Sequence, residues 1–149
     1  MGTLRGERTV EIDAPIQRVF EVAADLERAP EWQHSLKTLE VHERDGDRRA
    51  TTVDTESDAK VRTIHSRLRY VYEPPTRITW DQERGDVKAV HGWWRLEDLG
   101  SGRTRATYGL EVDPGRMLGL LLRGPAEGRV RDFLLDGTAE GLKQRAEAR

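Results

Sequence analysis

The spacing of hydrophobic residues changes along the 149-residue chain, and each change indicates a different kind of element. Near the start, Val10 and Ile12 alternate with polar residues, which is typical of a strand with one buried face. From position 15 the apolar residues recur at helical spacing, at Ile16, Val19, Phe20, Ala23 and Leu26. This spacing predicts an amphipathic helix over 15–27 and a second, short helical turn over 30–36.

The middle of the chain alternates with period two and is divided by turn signals. An Asp-Gly pair at 45–46, a Pro-Pro pair at 74–75 and glycine-containing segments at 84–86 and 98–103 each indicate a chain reversal. Six consecutive antiparallel strands are therefore predicted, at roughly 36–44, 48–56, 60–73, 77–84, 87–97 and 103–112.

The last third of the chain returns to helical spacing. Val130, Phe133, Leu134 and Leu142 share one side of a predicted long helix over 126–149. A seven-stranded antiparallel sheet must bury one face, and this helix is the only predicted element large enough to cover it. We therefore expect a single α+β domain over 1–149, in which a curved antiparallel sheet grips the C-terminal helix and two short helices separate strands 1 and 2.

Strand parity assigns the aromatic residues to the two faces of the sheet, because successive side chains point to opposite sides. Trp94 shares the apolar parity of Gly92 and is predicted to point inward, whereas Trp93 points outward. The same argument directs Trp80 and Tyr108 inward. Such aromatic side chains either line a cavity or fill the space as a packed core, and the pattern leaves both open.

The predicted strand 60–73 is ambiguous in phase. In the phase that its apolar residues favour, Ile64 and Tyr70 face inward while His65 and Arg67 face solvent. A bulge or a slip of one residue would exchange the two sets and turn Arg67 toward the interior.

Two glycines, Gly137 and Gly141, lie four residues apart in the predicted C-terminal helix, where each costs about 1 kcal/mol relative to alanine. On the gripped face they would let the helix approach the sheet or leave room for a ligand, and on the outer face they would only be tolerated. Residues 117–125, just before this helix, are predicted to form a short helix or a flap at a cavity entrance.

Composition narrows the classes of function. The net charge is −2, with 25 basic and 27 acidic residues interspersed, so nucleic-acid binding is not favoured. The absence of cysteine excludes a disulfide framework and a thiolate nucleophile. The four histidines lack metal-binding spacing and no GxGxxG or GxxxxGK(S/T) motif is present, so neither a metal nor another cofactor is expected. The most apolar run, 117–122, is too short for a transmembrane segment, and a soluble cytoplasmic protein is expected.

Several stretches of the chain, in this order, resemble the START-like superfamily, the helix-grip fold of polyketide cyclases, plant pathogenesis-related proteins and lipid-transfer domains. They are IDAPIQRVFEVAADLERAPEW near the start, LRYVYEPPTRITW and HGWWRLEDLGSGRTRATYGLEV in the sheet, and GLKQRAE at the end. Within the superfamily the chain is most similar to bacterial proteins labelled polyketide cyclase/dehydrase. The resemblance implies a deep cavity between sheet and helix that binds an apolar ligand.

The resemblance also implies roles for individual residues. In aromatase/cyclases of this superfamily an inward arginine on strand 60–73 polarises a poly-β-ketone carbonyl, and the segment IHSR aligns loosely so that Arg67 would take that place. In the reversed phase His65 would then serve in proton transfer. Trp32 matches an aromatic at the cavity mouth, where it would contact ligand or staple the short helices to the sheet.

Three hypotheses about function follow. In the leading one the domain binds a hydrophobic or aromatic small molecule of lipid-, isoprenoid- or polyketide-like type. The residues expected to contact it are Trp32, Tyr70, Trp80, Trp94, Tyr108 and Phe133. The alternative is a polyketide aromatase/cyclase or dehydrase that uses Arg67 with a nearby group such as His65. The third hypothesis is a module that forms a homodimer through an exposed patch at His91 and Trp93.

Overall fold

The computed structural model describes residues 3–60, 62–119 and 124–148, and its elements follow the predicted order. The strands are β1 (Leu4–Ile12), β2 (Leu36–Arg44), β3 (Ala50–Asp58), β4 (Thr63–Glu73), β5 (Arg77–Gly85), β6 (Ala89–Gly100) and β7 (Arg103–Asp113). The helices are α1 (Ile16–Ala24), a 3-10 helix (Leu26–Glu31), α2 (Gly115–Gly119) and α3 (Pro125–Glu147).

All seven strands form one antiparallel sheet in the order β1-β7-β6-β5-β4-β3-β2. The strands β2 to β7 pair with their neighbours in sequence, and β1 joins the free edge of β7. Register shifts interrupt the β2–β3 and β4–β5 ladders, and such bulges bend and twist a sheet. The helix α3 packs against β1, β7 and α1, so the curved sheet holds the helix as the alternation of apolar residues predicts.

The helical segment after β1 differs from the prediction. The helix α1 ends at Ala24, and Asp25 leaves helical geometry with φ −82° and ψ 76°. The second helical piece is the 3-10 helix, which begins four residues before the predicted turn over 30–36. The prediction was wrong because it started the turn at Pro30. That proline lies inside the 3-10 helix, which ends at Glu31; it has no N–H and disfavours α geometry at the preceding residue, so the chain passes through it in 3-10 geometry.

The inner face of the sheet has a packed half and a hollow half. The packed half includes Val53, Ile78, Leu96 and Ala106, and α1 contacts the sheet at β6 and β7. Phe20 from α1 belongs to the same buried cluster and is 1% exposed. The hollow half starts two residues away along each of these strands, at Thr55, Trp80, Trp94 and Tyr108, where the side chains border open space. One set of strands thus supplies both a core and a cavity wall.

The two ends of α3 are held differently. At its C-terminus Arg18 donates hydrogen bonds from Nε to the carbonyl of Ala146 (3.1 Å) and from Nη2 to that of Ala148 (2.9 Å). These bonds satisfy carbonyl groups that have no partner within the helix. At its N-terminus α3 begins after Gly124, and no side chain of the residues that the structure describes caps it.

The two glycines of α3 have different surroundings. A Cβ at Gly141 would lie 2.1 Å from the carbonyl oxygen of Trp32, so this glycine lets α3 approach the segment between the 3-10 helix and β2. A Cβ at Gly137 would meet nothing within 4 Å. Of the predicted flap over 117–125, residues 120–123 lie outside the described residues.

Candidate functional site

A cavity of about 140 Å³ lies between the hollow half of the sheet and the helices. A single water molecule needs only ~10–15 Å³ of such space, so the cavity accommodates a small organic molecule. All seven strands contribute to its wall, and Leu26, Trp32, Val130 and Leu134 close it from the helical side.

Five of the six predicted contact residues form a continuous aromatic wall of this cavity. We define the aromatic wall as Tyr70, Trp80, Tyr108, Trp94 and Trp32. Along this order the ring centroids are 5.2, 5.9, 4.8 and 6.4 Å apart. These separations fall in the range of favourable aromatic pairs, so each ring supports the next. The aromatic side chains line the cavity and do not fill it.

A glycine on the neighbouring strand positions the central ring of the wall. Trp80 on β5 lies directly opposite Gly92 on β6, and a Cβ at Gly92 would come within 2.2 Å of the indole. The ring can therefore lie flat on the backbone of β6 only because no side chain is present there.

The predicted split between the adjacent tryptophans is confirmed. Trp94 is 3% exposed on the inner face, whereas the Trp93 ring covers Gly109 on the outer face. The Trp93 indole N–H donates to Oε2 of Glu7 at 2.9 Å, and the neighbouring His91 Nδ1 lies 2.8 Å from Oδ1 of Asp81. The patch proposed for dimerisation is therefore engaged by residues of its own chain.

The structure does not place Phe133 on the cavity wall. On α3 the wall residues are Val130 and Leu134, which lie four apart on one face. The Phe133 ring instead contacts the ammonium group of Lys60, which lies 4.0 Å from the ring centroid. The apolar residues of α3 cover a wide arc, and only part of that arc faces the cavity.

The structure places Arg67 on the outer face of the sheet. Its guanidinium binds Asp54 with Nε–Oδ1 at 2.7 Å and Nη2–Oδ2 at 3.0 Å, and His42 contacts the same carboxylate at 2.7 Å. The hydrogen bond from Arg67 is the main reason that the pKa of Asp54 falls to about 2. The inward phase of Ile64 and Tyr70 is confirmed, since both border the cavity.

His65 also lies on the outer face. Its Nδ1 is 3.0 Å from Oδ2 of Asp86 and its Nε2 is 2.9 Å from Oε2 of Glu56. Hydrogen bonds to these two carboxylates, that to Asp86 above all, raise the pKa of His65. The bulge lies in the partner strand β5, because Arg67 and Leu68 are consecutive on β4 but pair with Arg84 and Gln82 on β5. The alternation of β4 is therefore undisturbed, and neither His65 nor Arg67 reaches the cavity.

The cavity lining also contains a group of polar residues that the sequence patterns did not indicate. They are Gln33, Ser35, Thr55, Ser57, Arg62 and Ser66. The parity of β3 contained a signal for two of them, because Thr55 and Ser57 follow Val53 at alternate positions. Short hydroxyl side chains are so common on solvent-facing strands that this signal is weak.

A protein-family model described as polyketide cyclase/dehydrase and lipid transport matches residues 3–147. The chain belongs to this family. A search of curated protein sequences finds no match.

Solved structures confirm the START-like, helix-grip fold of this family member. A START superfamily protein from Mycobacterium smegmatis has a TM-score of 0.83 at 20% identity, with 98% of each chain covered. A protein from Thermus thermophilus has a TM-score of 0.80 at 24% identity, with 97% of each chain covered. The Zhui aromatase/cyclase from Streptomyces sp. R1128 has a TM-score of 0.76 at 20% identity, over 98% of this chain and 94% of that one.

Two further features of the family member bear on its site. Residues 3–60, 62–119 and 124–148 contain no helix that is both long and apolar enough to cross a bilayer. Within the same ranges, no three His, Cys, Asp or Glu side chains are grouped so that they could hold a metal ion.

Proposed function

We propose that the protein binds a hydrophobic or aromatic small molecule, of lipid-, isoprenoid- or polyketide-like type, in the cavity between the sheet and α3. The observation that supports this most is the aromatic wall. Five rings in mutual contact border open space of about 140 Å³, although packing them against other side chains would stabilise the fold more.

The physical gain from binding is the burial of apolar surface on both sides. Transfer of apolar area from water contributes roughly 25 cal/mol per Å², and stacking on aromatic rings adds to it. The rings of Tyr70, Trp80 and Tyr108 are close to parallel, with successive interplanar angles of 24° and 25°, and this part of the wall favours ligands with planar or unsaturated parts.

The chemistry of the lining favours binding over acid–base catalysis. Among the described lining residues Arg62 is the only charged one, and none is Asp, Glu, His or Lys. Burial raises the pKa of the Tyr70 hydroxyl well above its usual value. This hydroxyl therefore stays protonated near neutral pH, where it can donate a hydrogen bond but cannot act as a base.

The alternative function is a polyketide aromatase/cyclase or dehydrase that uses Arg67 and His65. Both residues lie on the outer face of the sheet, away from the cavity. Arg67 is bound to Asp54 there, and His65 lies between two carboxylates. An Arg67→Ala variant separates the two hypotheses. Ligand binding alone predicts unchanged affinity for a bound probe, whereas the cyclase hypothesis predicts an altered product profile with a poly-β-ketone substrate.

The proposed function is tested by titrating the protein with N-phenyl-1-naphthylamine and following probe and tryptophan fluorescence. We expect saturable binding that Leu110→Trp abolishes, because the added ring would occupy the cavity next to the aromatic wall. Trp94→Phe should weaken binding and remove much of the change in protein fluorescence. The matched variant Trp93→Phe alters the adjacent indole on the outer face and should retain wild-type affinity.

The absence of saturable probe binding in the folded wild-type protein would contradict the proposal. Equal effects of Trp93→Phe and Trp94→Phe would place the binding site outside the cavity and would contradict it as well.

A further inference from the structure

Most of the hydroxyl groups in the cavity lining lie on one side of the cavity. Thr55 and Ser66 lie opposite each other on β3 and β4, and Ser57 follows two residues further along β3. Ser35 lies beside them, because its carbonyl accepts a hydrogen bond from the N–H of Asp58 at 2.7 Å. We call Ser35, Thr55, Ser57 and Ser66 the hydroxyl strip.

The opposite side of the cavity carries no aliphatic hydroxyl group, and its polar groups are one phenol and two indole N–H groups. The described lining residues of β5, β6 and β7 are Trp80, Val90, Trp94, Tyr108, Leu110 and Val112. The two sides of the cavity therefore differ in chemistry, and a ligand that is apolar throughout would leave the hydroxyl groups of Ser35 and Ser57 without a partner.

Parts of the hydroxyl strip are free to bind a ligand. Ser66 Oγ donates to Oε1 of Gln82 at 2.9 Å, but its oxygen can still accept a hydrogen bond. Ser35 and Ser57 make no side-chain hydrogen bond to any other described residue. Ser35 is only 6% exposed, but its hydroxyl group remains accessible, and the residue borders the cavity.

Arg62 extends the hydroxyl strip to the rim of the cavity. It lies in the turn that joins β3 to β4, where its carbonyl accepts a hydrogen bond from the N–H of Ala59 at 3.0 Å. Its side chain is exposed and forms no ion pair with the residues that the structure describes, although it borders the cavity. The nearby carboxylate of Asp86 is already bound by the backbone N–H and the ring of His65.

Electrostatics decides where a charged ligand group could lie. Burying a carboxylate deep in the cavity would cost far more hydration free energy than hydrogen bonds to hydroxyl groups would restore. At the rim the carboxylate keeps part of its hydration and gains the guanidinium as a partner. The described lining contains no carboxylate that would repel it.

We propose that the ligand is an amphipathic carboxylate, whose aromatic or apolar body lies on the aromatic wall and whose carboxylate faces the hydroxyl strip and Arg62. This inference rests on the proposed function and adds to it the chemical class of the ligand. It makes Arg62 the residue that determines specificity for acids over alcohols.

The experiment compares 2-naphthylacetate with 2-(2-naphthyl)ethanol by isothermal titration calorimetry at pH 7. The two probes share the aromatic body and differ in the charged end. We expect the acid to bind about fivefold more tightly, which is the upper end of what a partly solvated ion pair contributes. Arg62→Gln should abolish the preference, and Arg62→Lys should retain part of it.

The matched control is Arg84→Gln, which removes the same charge from the outer face of the sheet. It should leave the preference unchanged, so that a general effect of net charge is distinguished from a local one. Equal affinities of wild type for the two probes, or a preference that survives Arg62→Gln, would overturn the carboxylate assignment while leaving the cavity as a binding site. If neither probe nor N-phenyl-1-naphthylamine binds, the proposed function fails as well.

Discussion

The packed half and the hollow half of the inner face are built from the same strands, yet they differ in what their side chains contact. Leu96 on β6 lies in the packed half, where α1 covers the sheet. Leu110 on β7 lies in the hollow half and borders the cavity. Both are nearly buried, at 3% and 6% exposure, so burial alone does not reveal the difference. The contrast shows that a fold can shield an apolar residue from solvent without giving it a full set of packing neighbours.

The largest expected effect is on the packed half. Leu96→Ala should lower the free energy of unfolding by about 3–4 kcal/mol, because it removes a fully surrounded side chain and leaves a new void. The matched change Leu110→Ala should cost only about 2 kcal/mol, since part of that side chain already faces open space. Urea denaturation of both variants measures the two losses, and equal losses would contradict the division into halves.

A smaller effect is expected where α3 approaches the border of the cavity. Gly141→Ala should destabilise the protein by about 1–3 kcal/mol, because the new methyl group would overlap the backbone carbonyl of Trp32. Gly137→Ala is the control on the same helix, and it should stabilise the protein by about 0.5–1 kcal/mol because nothing lies near the added group. Thermal unfolding of the two variants should therefore shift in opposite directions, and a shift of the same sign would refute this account of α3.

The smallest effect concerns the outer face behind the hollow half, where His65 links β3 to the turn between β5 and β6. Because Asp86 and Glu56 raise its pKa in the folded state, protonated His65 stabilises the fold. This contribution is fully present below the pKa of the unfolded state, about 6.5, and is lost as the pH rises through the higher folded value. The advantage of wild type over His65→Gln should thus be larger at pH 5.5 than at pH 9 in urea denaturation.

The control for this effect is the pair of changes Glu56→Gln and Asp86→Asn, which removes both charged partners of the imidazole and leaves the ring in place. In that background the loss of stability caused by His65→Gln should no longer be larger at pH 5.5 than at pH 9. An advantage of wild type over His65→Gln that is the same at both pH values would show that the two carboxylates do not stabilise the imidazolium.

Local patterns were sufficient for the order of elements and for the faces of β6. The alternation around Trp93 and Trp94 is regular, and one apolar parity fixes both directions. The phase of β4 was harder to predict, because its alternation fixes the phase only if β4 itself contains no bulge. The bulge lies in the partner strand β5. Nothing within residues 60–73 could have shown where that irregularity lies.

The cavity itself could not be derived from residue patterns. Whether Trp80 fills space or borders it depends on the summed volumes of side chains from many elements. The same limitation applies to Phe133, since one step along a helix turns a side chain by about 100°. Ser35 was missed because it lies outside any alternating strand, where sequence gives no inward direction.

The unequal anchoring of α3 sets a direction for motion. Arg18 ties the C-terminal carbonyls of the helix to α1, and Arg8 on β1 binds Asp132 and Asp136, whereas no side chain among the described residues caps the N-terminus. Only the first turns of the helix, before Asp132, are therefore expected to open, which would widen the cavity beside Val130. Amide hydrogens near Val130 should exchange with deuterium faster than those near Leu142. Arg18→Gln should reduce this difference in exchange rate, because it loosens the C-terminal end of α3.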